Sequence, residues 1–184
     1  MKFIIEHLEQ KLSEWRMIEY KRMSQLVGKN NLIFTNLKPQ TKKALEELGE
    51  VTEKKAKEIA KGKVCILDQN AKKELSSDDK FDYVIFGGIL GDEPPTGKTN
   101  LIERNPDWET RTLGNKQMST DTAVNVTKLI LEGTPLNKLK FIEEPEIPIK
   151  EGESVILPFR YLEKDGKPVM SEEIIEMLKK KKGF

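Results

Sequence analysis

The residues of this 184-residue chain whose types and spacing can do chemistry gather between Phe81 and Glu132. Gly87, Gly88 and Gly91 directly follow the apolar run FDYVIF, where glycine permits a tight turn and lets a ligand approach the backbone. Arg111-x-Leu113-Gly114 makes a bend, and Gln117-Met118 lead into Ser119-Thr120-x-Thr122, a helix start rich in hydroxyls and backbone donors. Two readings stand on these residues: a tight strand-to-loop turn with no ligand, or a walled pocket for a heteroaromatic ring and its ribose. A nucleoside triphosphate is excluded by spacing. Gly97-Lys98-Thr99 imitates the end of a phosphate-binding loop, but five residues separate Gly91 from Gly97 where that motif has four. Pro94 and Pro95 also lack the amide hydrogens that a phosphate cradle uses.

The elements that must position these loops can be read in order. Phe3-Ile4-Ile5 predicts a strand. Leu8, Leu12, Trp15, Ile18 and Leu26 at helical spacing predict a helix with its stop at Gly28. Asn31–Leu37 reads as a second strand, then Thr41–Leu48 and Thr52–Lys61 as helices ending at Gly49 and Gly62. Lys63–Asp68 and Phe81–Gly87 are further strands, and their unbroken apolar character suits strands covered on both faces. Strands alternating with helices imply an α/β fold with a mostly parallel sheet. Ligands of such sheets bind beyond the carboxyl ends of the strands. Here those ends carry His7 and Glu9, Thr35-Asn36, Asp68-Gln69 and Gly87-Gly88. After the helix from Thr120 the tail changes character. Phe141–Ile149 and Ser154–Leu162 are extended, prolines keep the first of them out of a central position, Asp165-Gly166 marks a turn, and Ser171 caps a final helix with Glu173 as its partner. A single domain over 1–184 with a short extended and helical appendage from about 138 is expected.

Composition removes several kinds of function. The formal net charge is +1, so no global basic field draws nucleic acid. With one cysteine and one histidine, neither a zinc site nor a Cys–His nucleophile is expected, and no metal is assigned. Cys65 sits inside KVCIL and reads as a buried, inert thiol. Charge interrupts MKFIIEHLEQ too early for a signal peptide, and no apolar run is long enough for a membrane span. A cytoplasmic protein is expected.

FGGILGD followed by Pro-Pro and RTLGNKQMSTDTAV resembles the SPOUT, or trefoil-knotted, methyltransferases. The resemblance is narrower still to a group of S-adenosylmethionine-dependent enzymes first described as RNA methyltransferases, one of which methylates arginine in a ribosomal protein. IIEHLE, SEW, FTNL, ESVILPFRYL and DGKP extend the match over nearly the whole chain. It implies a trefoil knot over about 81–133 and S-adenosylmethionine bound between three segments. These are the loop Gly87, Gly88, Ile89, Leu90, Gly91; the loop with Arg111, Leu113, Gly114, Gln117 and Met118; and the helix start with Thr120, Thr122 and Ala123. Relatives carry an acidic-basic pair where this chain has Gly97-Lys98. If the acceptor is arginine, its protonated guanidinium needs carboxylates to hold it and take up a proton. Glu6, Glu9, Glu19 and Asp92 are the candidates, with His7 and Asn36 as substrate contacts. RNA as acceptor and a non-catalytic binding module are the alternatives, with the chain either a monomer or a homodimer.

Overall fold

The computed structural model describes residues 1–88 and 101–181. Six strands form one sheet: β1 (Lys2–His7), β2 (Leu32–Thr35), β3 (Glu50–Val51), β4 (Val64–Leu67), β5 (Tyr83–Gly88) and β6 (Glu109–Arg111). Their order is β3-β2-β1-β5-β4-β6, and every neighbouring pair runs parallel. The chain leaves β1 towards β2 on one side, whereas after β5 it next joins the sheet as β6 on the other. The carboxyl ends of β1 and β5 therefore flank the topological switch point, where open parallel sheets take their ligands.

Strand alternation divides the core into two layers. Phe3, Ile5, Phe34, Cys65, Val84 and Phe86 face helices α1 (Glu14–Val27) and α4 (Thr120–Leu131), which bring Tyr20, Met23, Val124 and Ile130. Ile4, Ile33, Val64, Ile66 and Ile85 pack on the opposite side with Ala56, Ala60 and Ile102. The same alternation sends the last two residues of β1 to opposite faces. Glu6 continues the Ile4 row and His7 the Phe3–Ile5 row.

Three helices differ from their predicted extents. Helix α1 begins at Glu14 rather than Leu8, because Ser13 caps it: its Oγ accepts the Arg16 amide at 3.2 Å. Leu8 and Leu12 belong to the connection before it, so their helical spacing is coincidental. Helix α2 (Pro39–Leu45) starts at its proline, whose missing N–H costs nothing in a first turn. Helix α3 (Ala56–Ile59) is a single turn, since backbone bonds from Thr52 to Phe34 and from Asn36 to Lys54 still tie the chain to the end of β2, and Ala60 is already extended.

The tail is built as expected in character. Strands β7 (Phe141–Glu143), β10 (Arg160–Lys164) and β11 (Lys167–Pro168) make a three-stranded sheet, and β8 (Glu146–Lys150) pairs with β9 (Glu153–Ile156). Pro148 is tolerated because a two-stranded ribbon has only edges. Asp165 and Gly166 both take positive φ, as the two-residue turn between β10 and β11 requires. Helix α5 (Glu172–Lys181) closes over α1, where Trp15 and Ile18 meet Ile147, Leu157, Phe159, Ile174 and Leu178. Among the described residues no helix is long and apolar enough to cross a membrane.

Candidate functional site

The carboxyl ends of β1 and β5 are tied together from within. His7 pairs in register with Gly88, and the hydroxyl of Tyr20 on α1 lies 2.9 Å from His7 Nδ1. A Cβ on Gly88 would come within 2.6 Å of that hydroxyl and 2.9 Å of the Glu6 carbonyl oxygen. These neighbours within the chain account for the glycine. Burial, with help from Arg16 and Lys38, lowers the His7 pKa to about 4, so the ring is neutral at neutral pH. Its Nε2 is buried without a hydrogen-bond partner among the described residues. Asn36, at φ 58°, donates from Nδ2 to the His7 carbonyl at 2.7 Å and so ties the end of β2 to that of β1.

A polar cluster fills the junction of α1 and α4. The Arg16 side chain is fully enclosed. Its Nη1 donates to Glu19 Oε2 at 2.5 Å and Thr120 Oγ1 at 3.2 Å, and its Nη2 to Glu9 Oε1 at 3.0 Å. Trp15 Nε1 donates to the other Glu19 oxygen at 3.2 Å. Burial pushes the Glu19 carboxyl up to about 7 against the pull of Arg16. One residue further along α4, Asp121 is also buried. Its Oδ2 lies 3.0 Å from Arg22 Nε, and its Oδ1 accepts the Ser119 hydroxyl at 2.7 Å. Burial raises the Asp121 pKa, and Arg22 opposes the rise. Ser119 Oγ is also 2.8 Å from Thr122 Oγ1, so the hydroxyls at the head of α4 bond to one another.

The three described candidate carboxylates thereby do not form one group. Glu9 and Glu19 meet at Arg16, and Tyr20, whose ring centroid is 5.8 Å from the Arg16 guanidinium carbon, links them to His7. Glu6 lies on the opposite face of the sheet, where its Oε2 accepts the Ala56 amide at 2.7 Å at the start of α3. Burial raises its pKa, and that amide bond opposes the rise. Asp92, with Ile89, Leu90, Gly91 and Gly97-Lys98-Thr99, lies outside the described residues.

The loop from Arg111 to Met118 is braced on both sides. The Arg111 guanidinium is buried and occupied: Nε and Nη2 donate to Asp79 at 3.0 and 2.7 Å, Nη2 also to Glu109 at 2.6 Å, and the cation stands 5.2 Å over Phe81. Thr112 Oγ1 accepts the Gly114 amide, and Gly114 itself has φ 97°. Leu113 is buried in the α4-side core. The Arg160 amide of the tail donates to the Gln117 carbonyl at 2.7 Å, and Met118 bridges to Arg160. Gln117 Oε1 is buried without a hydrogen-bond partner among the described residues. The Ala123 amide closes the first turn of α4 on the Ser119 carbonyl. Among the described residues no group of His, Cys, Asp or Glu is placed to hold a metal ion.

Arg16, Arg22, Asp121 and Asp79 were not singled out from the sequence. Arg16 and Glu19 are three apart on a helix, a spacing that ordinarily marks a surface ion pair. The available signal was Trp15 and Tyr20 beside them, which leave little of that helix for solvent.

Comparison with known proteins places the chain. A family model described as "Protein arginine N-methyltransferase SFM1-like" matches residues 2–183. The chain is 38% identical over 202 residues to the protein arginine N-methyltransferase SFM1 of Saccharomyces cerevisiae, covering 98% of this chain and 95% of that protein. The crystal structure of yeast SFM1 complexed with SAM superposes with a TM-score of 0.90 at 39% identity, over 98% of this chain and 90% of that one. The dual-specific Trm10 of Thermococcus kodakaraensis, 17% identical, matches with a TM-score of 0.61 over 74% of this chain and 95% of its own; that likeness is one of fold.

Proposed function

The chain belongs to the SFM1-like family of protein arginine N-methyltransferases, and on that premise we propose that it transfers a methyl group from S-adenosylmethionine to an arginine side chain of a protein of the translation apparatus. What supports the site in this chain is two buried polar atoms left without partners among the described residues: Gln117 Oε1 in the second loop and His7 Nε2 at the end of β1. A buried polar group left unpaired is costly. An adenosyl group offers amino and hydroxyl hydrogens for the Gln117 oxygen, and both donors and acceptors for an imidazole nitrogen in either tautomer, so the residues present fit the cofactor.

When bound, S-adenosylmethionine supplies an electrophilic methyl group, and transfer is an in-line displacement in which alignment and water exclusion carry most of the rate. The loop from Arg111 to Met118 and the head of α4 hold the cofactor in this proposal. Loop shape is set by Asp79 on Arg111 and by the tail on Gln117. Glu9 is the described carboxylate best placed to face a cationic acceptor, because a quarter of its side chain remains exposed. One oxygen already engages Arg16, which holds the carboxylate in one orientation. Neutral His7 and Asn36 form the neighbouring rim. Glu6 and Glu19 support the strand and helix ends from enclosed positions. A net charge of +1 favours a protein acceptor over RNA, which would need local positive charge against its phosphates. The proposal carries with it a cytoplasmic location.

Calorimetry of the full chain with S-adenosylmethionine tests the cofactor directly. Saturable binding at one site, competed by S-adenosylhomocysteine and weakened several-fold by Gln117→Leu, is expected. No heat with either compound would contradict the proposal.

A further inference from the structure

Arg16 carries the inference furthest. Its guanidinium joins two nearby carboxylates to a hydroxyl far away in sequence. Glu9 lies in the connection before α1, Glu19 one turn further along that helix, and Thr120 at the head of α4, 104 residues away. Two forked nitrogens reach two carboxylates and a hydroxyl at once, which the single point charge of a lysine does not reproduce. The arrangement of Glu9 and Glu19 is the clamp that a protonated acceptor would want, and it is already filled from inside the chain. Because the Arg16 side chain has no exposed surface, nothing enters that clamp from solvent without displacing it.

We propose that Arg16 is the positioning residue of the transfer site: it fills the clamp of Glu9 and Glu19 and ties it to Thr120, so that the carboxylates and the cofactor wall are held as one unit. An acceptor guanidinium then meets Glu9 from its exposed side and is not taken up between Glu9 and Glu19. Asp121 and Arg22, the neighbouring pair across the same helices, keep the next turn of α4 in place. This inference rests on the methyltransferase reading of the site.

The test uses the full chain with Arg16→Ala and Arg16→Lys, an arginine-containing acceptor peptide, and ethylguanidinium as the probe. In Arg16→Ala, kcat/KM for the acceptor should fall tenfold or more, since displacing a positioned group costs at least that. The dissociation constant for S-adenosylmethionine should rise alongside, because Thr120 loses its bond to Arg16. Millimolar ethylguanidinium should restore both and raise the melting temperature of Arg16→Ala above a sodium chloride control; Arg16→Lys should stay impaired. Unchanged or increased turnover in Arg16→Ala would overturn the inference, as would full activity in Arg16→Lys. If Arg16→Ala folds only with ethylguanidinium present, the clamp is confirmed by that dependence. The melting curve also separates the two claims. Wild-type protein without affinity for S-adenosylmethionine defeats the methyltransferase reading, whereas no ethylguanidinium effect on Arg16→Ala defeats this one.

Discussion

Helix α1 buries two faces, and different physics holds each. Towards the tail it presents Trp15 and Ile18 to Leu157, Phe159, Ile174 and Leu178, an apolar contact in which shape matters more than any one atom. Towards α4 it presents Arg16, Glu19 and Arg22 to Thr120 and Asp121, where nearly every polar atom depends on a particular partner. A buried ion pair adds little net stability compared with apolar groups of the same shape, yet removing one member leaves a buried charge uncompensated. The tail face therefore serves stability, and the α4 face fixes the geometry of the rim where β1, β5 and α4 meet.

The sharpest way to break this contrast is to strike the polar face. Asp121→Ala leaves Arg22 without its carboxylate, only the Val169 carbonyl remaining, and should cost about 3–5 kcal/mol in urea unfolding. It should also weaken S-adenosylmethionine binding, since the first turn of α4 is loosened. On the apolar face, Leu178→Ala should cost about 2–5 kcal/mol through the cavity it leaves. Its cofactor affinity should stay within twofold by calorimetry. Equal effects of the two substitutions on affinity would erase the distinction.

His7 gives a graded test on the polar side. Its folded pKa of about 4 lies below the ordinary 6.5, so the neutral ring contributes stability that is fully present above pH 6.5. That contribution is lost as pH falls towards 4, and roughly 2–3 kcal/mol should disappear across the window. As the chain has a single histidine, its ring resonances titrate alone in an NMR spectrum. A midpoint near 6.5 would show that the ring is not enclosed. Gly88→Ala should cost about 1–3 kcal/mol by forcing Tyr20 aside, and should raise the His7 midpoint as its pocket opens. The smallest effect belongs to the surface. Lys21 and Glu173 join α1 to α5 at 3.3 Å but are about half exposed, so Lys21→Ala should change stability by less than about 0.5 kcal/mol.

The same contrast marks what could be read in the sequence. Apolar strands, the helix from Thr120, the Asp165-Gly166 turn and the proline-limited tail all follow from period and backbone chemistry, which are local. Resemblance added the identity of the ligand for loops that residue types had already marked. The start of α1 was misjudged because Leu8 and Leu12 repeat a helical spacing that Ser13 overrides. Helix α3 is shorter than its pattern implies because Thr52 and Lys54 bond to the end of β2, a long-range pairing that carries no periodic signal. Glu6, Glu9 and Glu19 looked like one group of carboxylates. Strand alternation puts Glu6 on the other face of the sheet, and only the packing of α1 on α4 shows that Arg16 joins the other two. Long-range polar partnerships such as Arg16 with Thr120 leave no mark in either segment alone.

The central claim is that this site methylates arginine. Incubating the full chain with methyl-labelled S-adenosylmethionine, ribosomal proteins and ribosomal RNA, then hydrolysing the protein to amino acids, tests it in one step. The account predicts label in methylated arginine and none in the RNA. Label recovered in nucleotides, or cofactor bound with no label in any macromolecule, would contradict it.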